Sequence, residues 1–133
     1  MKQEGELQWR GAWLATGWAM VAAVVYLSLA PISLEAIPAH SDKLHHVVAY
    51  GALMLWFCQM YEPSSTRRYL AVAFVVLGVG LECAQGLTDY RTFEYADMWV
   101  NACGVAVGWL AAPPRVTNLF VRFESLLRAR RAS

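Results

Sequence analysis

Charge is what this sequence has least of. Only 16% of its 133 residues are Asp, Glu, Lys or Arg, against about 25% in soluble domains. Hydrophobic residues make up 58%. With a mean hydropathy of +0.36, the composition sets a small soluble helical domain aside in favour of a membrane protein. Cysteine is scarce too. Cys58, Cys83 and Cys103 sit in apolar runs with no CxxC spacing, which excludes a disulfide frame and leaves them as small core hydrophobes. No A-x-A cleavage pattern follows the first apolar run, so it reads as a retained span and not a signal peptide. No serine or cysteine stands in a recognisable nucleophile motif, and no hydrolase or phosphatase signature is present. With a net charge of +1, no nucleic-acid partner is expected.

What is present is a series of apolar segments long enough to cross a bilayer, which needs about 20 residues. The sequence predicts an all-α, integral membrane four-helix bundle in one domain over residues 1–133. Its spans lie at about 11–30, 42–61, 68–87 and 93–112. Trp9, Trp13 and Trp18 cluster at the start of the first span, as interfacial anchors do. Pro31 ends it, and the connection to Ser41 is long enough to be a lid or surface segment. Ser41 is placed to cap the second helix and Thr92 the fourth. EPSSTR (62–67) reads as a loop, and Pro113–Pro114 stops the fourth helix. From residue 115 the pattern changes. Val116, Leu119, Phe120, Phe123, Leu126 and Leu127 recur at helical spacing with arginines between them, which predicts a basic amphipathic helix on the membrane surface. A helix docking on another protein is the alternative.

Four spans put both termini and the loop 62–67 on one side. Nine of the 11 Lys and Arg residues fall there, leaving only Lys43 and Arg91 opposite. Because basic residues are retained inside, the termini are expected in the cytoplasm.

The far side is where polar residues enter the apolar segments. At about 1.5 Å per residue, His46, Glu82 and Asp97 fall at similar depths on three different helices. Such groups are costly in hydrocarbon unless partnered, and their coincident depth argues for one cluster. Asp42, His46 and Tyr50 make one helical stripe; Asp97, Asn101, Gly104 and Gly108 make another. Gly104-x-x-x-Gly108 is a seam where a second helix can approach closely. The repeated Asp-x-x-x-(His/Asn) pattern hints at a duplicated hairpin.

DKLHHVVAY (42–50) followed by Glu82, Gln85, Arg91, Asp97, Asn101, Gly104 and Gly108 resembles the VanZ-like family of bacterial membrane proteins over about residues 40–110. The histidine of that pattern matches His46, not His45. The resemblance implies a multi-pass protein of the bacterial cytoplasmic (inner) membrane and cell envelope. The family's namesake is associated with low-level resistance to the glycopeptide teicoplanin, so a phenotype class is implied but no reaction.

Three readings of the cluster follow. In the first it is an extracytoplasmic pocket for a membrane lipid or lipid-linked envelope precursor. Asp42, Lys43, His46, Glu82, Gln85, Arg91, Asp97 and Asn101 would be the contacting residues, with Lys43 and Arg91 on a phosphate or carboxylate. In the second it is an acid–base enzyme site using His46, Glu82 and Asp97, with His46 as base oriented by Asp42 or Asp97. In the third it only locks the bundle, with Arg91 or Lys43 neutralising Asp97 and Glu82, and Gln85 and Asn101 completing the network. The spacing of His46, Asp42, Glu82 and Asp97 matches no established ligand set, so no metal or other cofactor is expected. His40 and His45 read as interface residues. A homo-oligomer is compatible with the sequence.

Overall fold

A computed structural model of the chain describes residues 7–31 and 39–132. Among these residues the protein is entirely helical: α1 (Arg10–Leu29), α2 (Ala39–Met60), α3 (Ser64–Gln85), α4 (Tyr95–Leu110) and α5 (Leu119–Ala132). The expected lid or surface connection falls largely on 32–38, outside the described residues, as does the side chain of His40. Helices α1 and α3 are long and apolar enough to cross a membrane. Helix α2 carries Asp42, Lys43, His45 and His46 in its first turns. Helix α4 has 16 residues, about 24 Å of rise.

Several boundaries differ from those expected. Helix α2 starts two residues before Ser41, so Ser41 does not occupy the cap position. Helix α3 begins at Ser64, directly after Pro63, because proline cannot continue a helix backwards but is tolerated at its entrance. The loop expected over 62–67 is correspondingly short. Thr92 does not cap α4; Glu94 holds that place in an extended conformation without a side-chain cap bond. Its N–H is instead taken by Glu82 Oε1 at 2.7 Å, which fixes the chain's entry into α4 from α3.

The first four helices alternate in direction. At one end, Gln85 Nε2 donates to Ser28 O at 2.8 Å and His46 meets Asn101. At the other, Trp56 Nε1 donates to Trp13 O at 2.9 Å. The closest helix pair is α2 with α4. A Cβ at Gly104 would lie 2.6 Å from Val47 O, one at Gly108 would overlap Gly51 O, and one at Gly51 would stand 3.2 Å from Gly104 O. Backbone therefore packs on backbone along this seam. Below it, Tyr50, Leu53, Met54, Phe57 and Cys58 of α2 form the buried core with Phe74 and Val105. Trp18, Tyr26, Val72 and Val76 stay exposed on α1 and α3.

The end holding residue 8 and α5 is closed by two buried charges. Arg67 donates to Tyr61 O at 2.6 Å, to Cys58 O at 2.8 Å and to Pro113 O. One guanidinium thus covers the free carbonyls at the end of α2, where the helix dipole is negative, and ties them to the α4–α5 connection. Glu124 does the converse for α1. It accepts from Gln8 N–H at 2.6 Å, Trp9 N–H at 3.0 Å and Trp13 Nε1–H at 2.9 Å, at the positive end of that helix. Phe120 stacks on Trp13 with centroids 4.2 Å apart, and Asn118 Oδ1 caps the start of α5. Helix α5 is thus docked on its own bundle through Phe120 and Glu124, while Leu119, Phe123 and Leu126 remain exposed.

Two outcomes test this packing. Gly104→Val should cost about 3 kcal/mol or more, because backbone cannot yield to the new side chain. Gly80→Ala, where a Cβ meets nothing within 4 Å, should be neutral or stabilising by up to about 1 kcal/mol. Thermal unfolding in detergent would compare them. For α5, burial alone would raise the Glu124 carboxyl, but Trp9 N–H, Trp13 Nε1–H, Gln8 N–H and the charge of Arg128 outweigh it and hold it below its usual 4.5. Docking stability from this group is therefore full above the ordinary glutamate range and is lost as pH falls through the lowered value. Hydrogen exchange over 119–132 should rise on acidification in the parent and be high at all pH in Glu124→Gln.

Candidate functional site

The polar end of the bundle is assembled from four pieces: the first three turns of α2, the last turn of α3, the connection 86–94, and the first two turns of α4. Because the α2–α4 glycine seam brings those backbones together, the Asp42–His46–Tyr50 stripe faces the Asp97–Asn101 stripe directly. His46 Nδ1 lies 2.9 Å from Asn101 Oδ1. With that oxygen accepting, Nδ1 carries the proton and Nε2 presents a lone pair. His46 Nε2 faces Asp97 Oδ2 at 3.9 Å, too far for a hydrogen bond. The donor atoms of Asp42, His46 and Asp97 all lie within 4.8 Å of one another.

Lys43 spans the gap between Glu94 Oε2 at 2.9 Å and Asp97 Oδ1 at 3.2 Å. Asp97 is buried and Glu94 half exposed. The lysine is thus committed to two carboxylates. Glu82, 1% exposed, spends Oε1 on Glu94 N–H, and its Oε2 finds no partner among the described residues. Asn101 also packs its side chain against Gly78, where a Cβ would stand 3.1 Å from it. This glycine therefore admits Asn101 between α3 and α4, and α3 is continuous through it.

On the α1 side of α2 lies a cavity of about 380 Å³. Val24, Leu27, Val48 and Ala49 give it apolar walls; Ser28, Asp42, His45, His46, Tyr50, Gln85 and Arg91 make it polar. Two of its groups are buried without a partner among the described residues: the Tyr50 hydroxyl and Arg91 Nε. Arg91 makes one long contact, from Nη2 to Leu27 O at 3.4 Å. Tyr90 closes the α1 side, its hydroxyl 2.7 Å from Leu29 O.

The residues expected in one pocket are therefore divided between two adjoining places. Asp42, His46, Gln85 and Arg91 line the cavity; Lys43, Glu82, Asp97 and Asn101 form the ionic cluster behind it. Neutralisation of Asp97 falls to Lys43, not Arg91. Gln85 pairs with the Ser28 carbonyl of α1 and not with Asn101. Sequence reasoning missed Tyr50, Ser28 and His45 as cavity residues. Tyr50 carried a signal, since it continues the Asp42–His46 stripe. The α1 contribution had none, because a backbone carbonyl leaves no mark in a sequence.

A family model described as VanZ/LLP1 matches residues 9–120. The chain belongs to the VanZ-like family, and with two helices apolar enough to cross a bilayer it is membrane-associated. No curated protein and no solved structure matches it.

Asn101→Ala should remove the His46 partner and leave a partly buried N–H unpaired, at a cost of about 1 kcal/mol. In a double-mutant cycle with His46→Ala the two effects should fall short of additive by at least about 0.5 kcal/mol. Additive losses in detergent unfolding would show that the contact contributes nothing.

Proposed function

We propose that α1–α4 cross a bacterial cytoplasmic membrane four times, with both termini in the cytoplasm, and that the cavity recognises the anionic headgroup of an envelope lipid or lipid-linked glycan precursor. Helix α5 and residues 8–10 sit together at the arginine-rich end, so the charge asymmetry of the sequence maps onto opposite ends of the folded bundle. The cavity then lies in the outer leaflet. Helix α4, at 16 residues, would reach its interface through the connection 111–118 and through the polar turn at its other end.

The observation that carries the reading is Arg91. A guanidinium whose Nε is buried and unpartnered at the polar end of an otherwise apolar-walled cavity is costly to keep. A phosphate or carboxylate seated there would recover that cost as charge-assisted hydrogen bonds. Exposed Leu27 and Val48 beside the cavity suit an acyl or prenyl chain, and the Tyr50 hydroxyl suits a phosphate or sugar oxygen. Lys43, held by Glu94 and Asp97, serves the scaffold and not the ligand. Holding an envelope intermediate gives the chain a route to glycopeptide (teicoplanin) sensitivity.

Purified protein in nanodiscs should bind a polyprenyl phosphate more tightly than a phosphatidylcholine of matched chain length. Arg91→Gln should weaken that binding at least tenfold, about 1.4 kcal/mol, while the unfolding temperature stays unchanged. Equal binding by parent and variant would sink the headgroup reading. Loss of teicoplanin tolerance in cells carrying the variant at normal abundance would connect the site to the phenotype.

A further inference from the structure

The polar end holds more carboxyl groups than cations. Around His46 stand four carboxylates, Asp42, Glu82, Glu94 and Asp97, against the two cations Lys43 and Arg91. An anionic headgroup entering such a site would meet repulsion as well as Arg91.

We propose that Asp42, His46 and Asp97 bind a first-row divalent cation of the zinc or manganese class, which bridges this chain to the phosphate-bearing headgroup. The bridging role rests on the headgroup reading above; the metal site does not. Three features support it. The donor atoms of the three residues lie within 4.8 Å of one another, each offering one. His46 Nε2 and Asp97 Oδ2 are 3.9 Å apart, within the roughly 4.2 Å that two metal–ligand bonds of about 2.1 Å can span, and the wider spread of the full set closes on an ion by a side-chain adjustment of Asp42. The other ring nitrogen of His46 is held by the Asn101 carboxamide oxygen at 2.9 Å, as the outer partner of a metal-bound imidazole commonly is.

An independent observation points to an occupant. Tyr50, 2% exposed, has no partner for its hydroxyl, and it lines the same cavity as Asp42 and His46. Asp42 and His46 belong both to the ligand set and to the cavity wall, so a molecule bound in the cavity would stand beside an ion there and would satisfy the tyrosine. The mixed imidazole–carboxylate set favours zinc or manganese over calcium or magnesium. Lys43 is not in the way, since it holds Oδ1 of Asp97 and leaves Oδ2 to the metal.

The test uses untagged full-length protein in detergent, stripped with chelator and then dialysed against zinc or manganese ions alone. The parent should retain about one ion per chain and should give the visible absorption of a four- or five-coordinate site with cobalt. Asp42→Asn should weaken retention at least tenfold. Among the described residues Asp42 makes no hydrogen bond or ion pair, so this variant should keep its fold. His46→Ala should abolish the cobalt signal, and Glu62→Gln, at the opposite end, should leave it intact. Retention at buffer level by the parent, or equal retention by Asp42→Asn and the parent, overturns the metal site. Arg91→Gln should keep the ion while losing polyprenyl phosphate, so the two readings fail separately. Polyprenyl phosphate binding that is unchanged by chelator overturns the bridging role.

Discussion

The contact on which everything else depends is the backbone-to-backbone packing of α2 on α4. Gly51, Gly104 and Gly108 have no side chains, so the two helices come closer than any larger residue would allow. Such intimate packing gives the helix pair its cohesion through close van der Waals contact. It has a second effect here. The glycines lie one and two turns below Asn101 and His46, so the same approach that packs the apolar half also fixes the polar half at hydrogen-bond distance. A helix pair held by leucines would stand about 2 Å further apart, by the usual range of interaxial distances, and His46 would not reach Asn101.

Around that seam the protein uses buried charges as fasteners at the end that holds α5. Arg67 and Glu124 each sit where a helix terminus leaves backbone groups unpaired, and each has the sign that the local dipole favours. Both are nearly inaccessible and both are satisfied by several bonds, which is the condition under which a buried charge is tolerated. The opposite end differs in kind. There, Glu82 Oε2, the Tyr50 hydroxyl and Arg91 Nε are buried and lack partners among the described residues. At the α5 end the buried charges are satisfied and only Gln59 Nε2 is left open; at the other end three groups are, two of them on ionisable side chains that line or adjoin the cavity.

Much of this was legible in the sequence. Helical rise alone put His46, Glu82 and Asp97 at one depth, and the four-residue spacing of Asp97 and Asn101 put both on the face that meets α2. The glycine seam was readable for the same reason. What could not be read was the division of labour. Whether Lys43 or Arg91 would pair with Asp97 depends on where the connection 86–94 runs, and that path is set by Glu82 taking the Glu94 amide. Long-range contacts to backbone, such as Gln85 to Ser28 and Arg67 to Cys58, have no residue-type signature. Glu124 was not singled out in the sequence, because its partners are the first amides of α1 and only the fold brings them together.

The cavity and the cluster behind it make different demands on a ligand, and together they narrow its chemistry. The apolar walls and exposed Leu27 and Val48 suit a chain, Arg91 asks for an anion, and the surplus of carboxylates asks for a cation. A simple anionic lipid answers the first two demands and aggravates the third. A free cation answers only the third. A phosphate-bearing lipid held through a divalent ion answers all of them, since the metal reverses the local field that the phosphate would otherwise meet. Both carboxylates of the proposed ligand set, Asp42 and Asp97, are on helices held by the glycine seam, so their spacing is fixed by the same packing that builds the bundle. Structural cohesion and ligand chemistry thus share one set of contacts, and substitutions that loosen the α2–α4 approach should damage both.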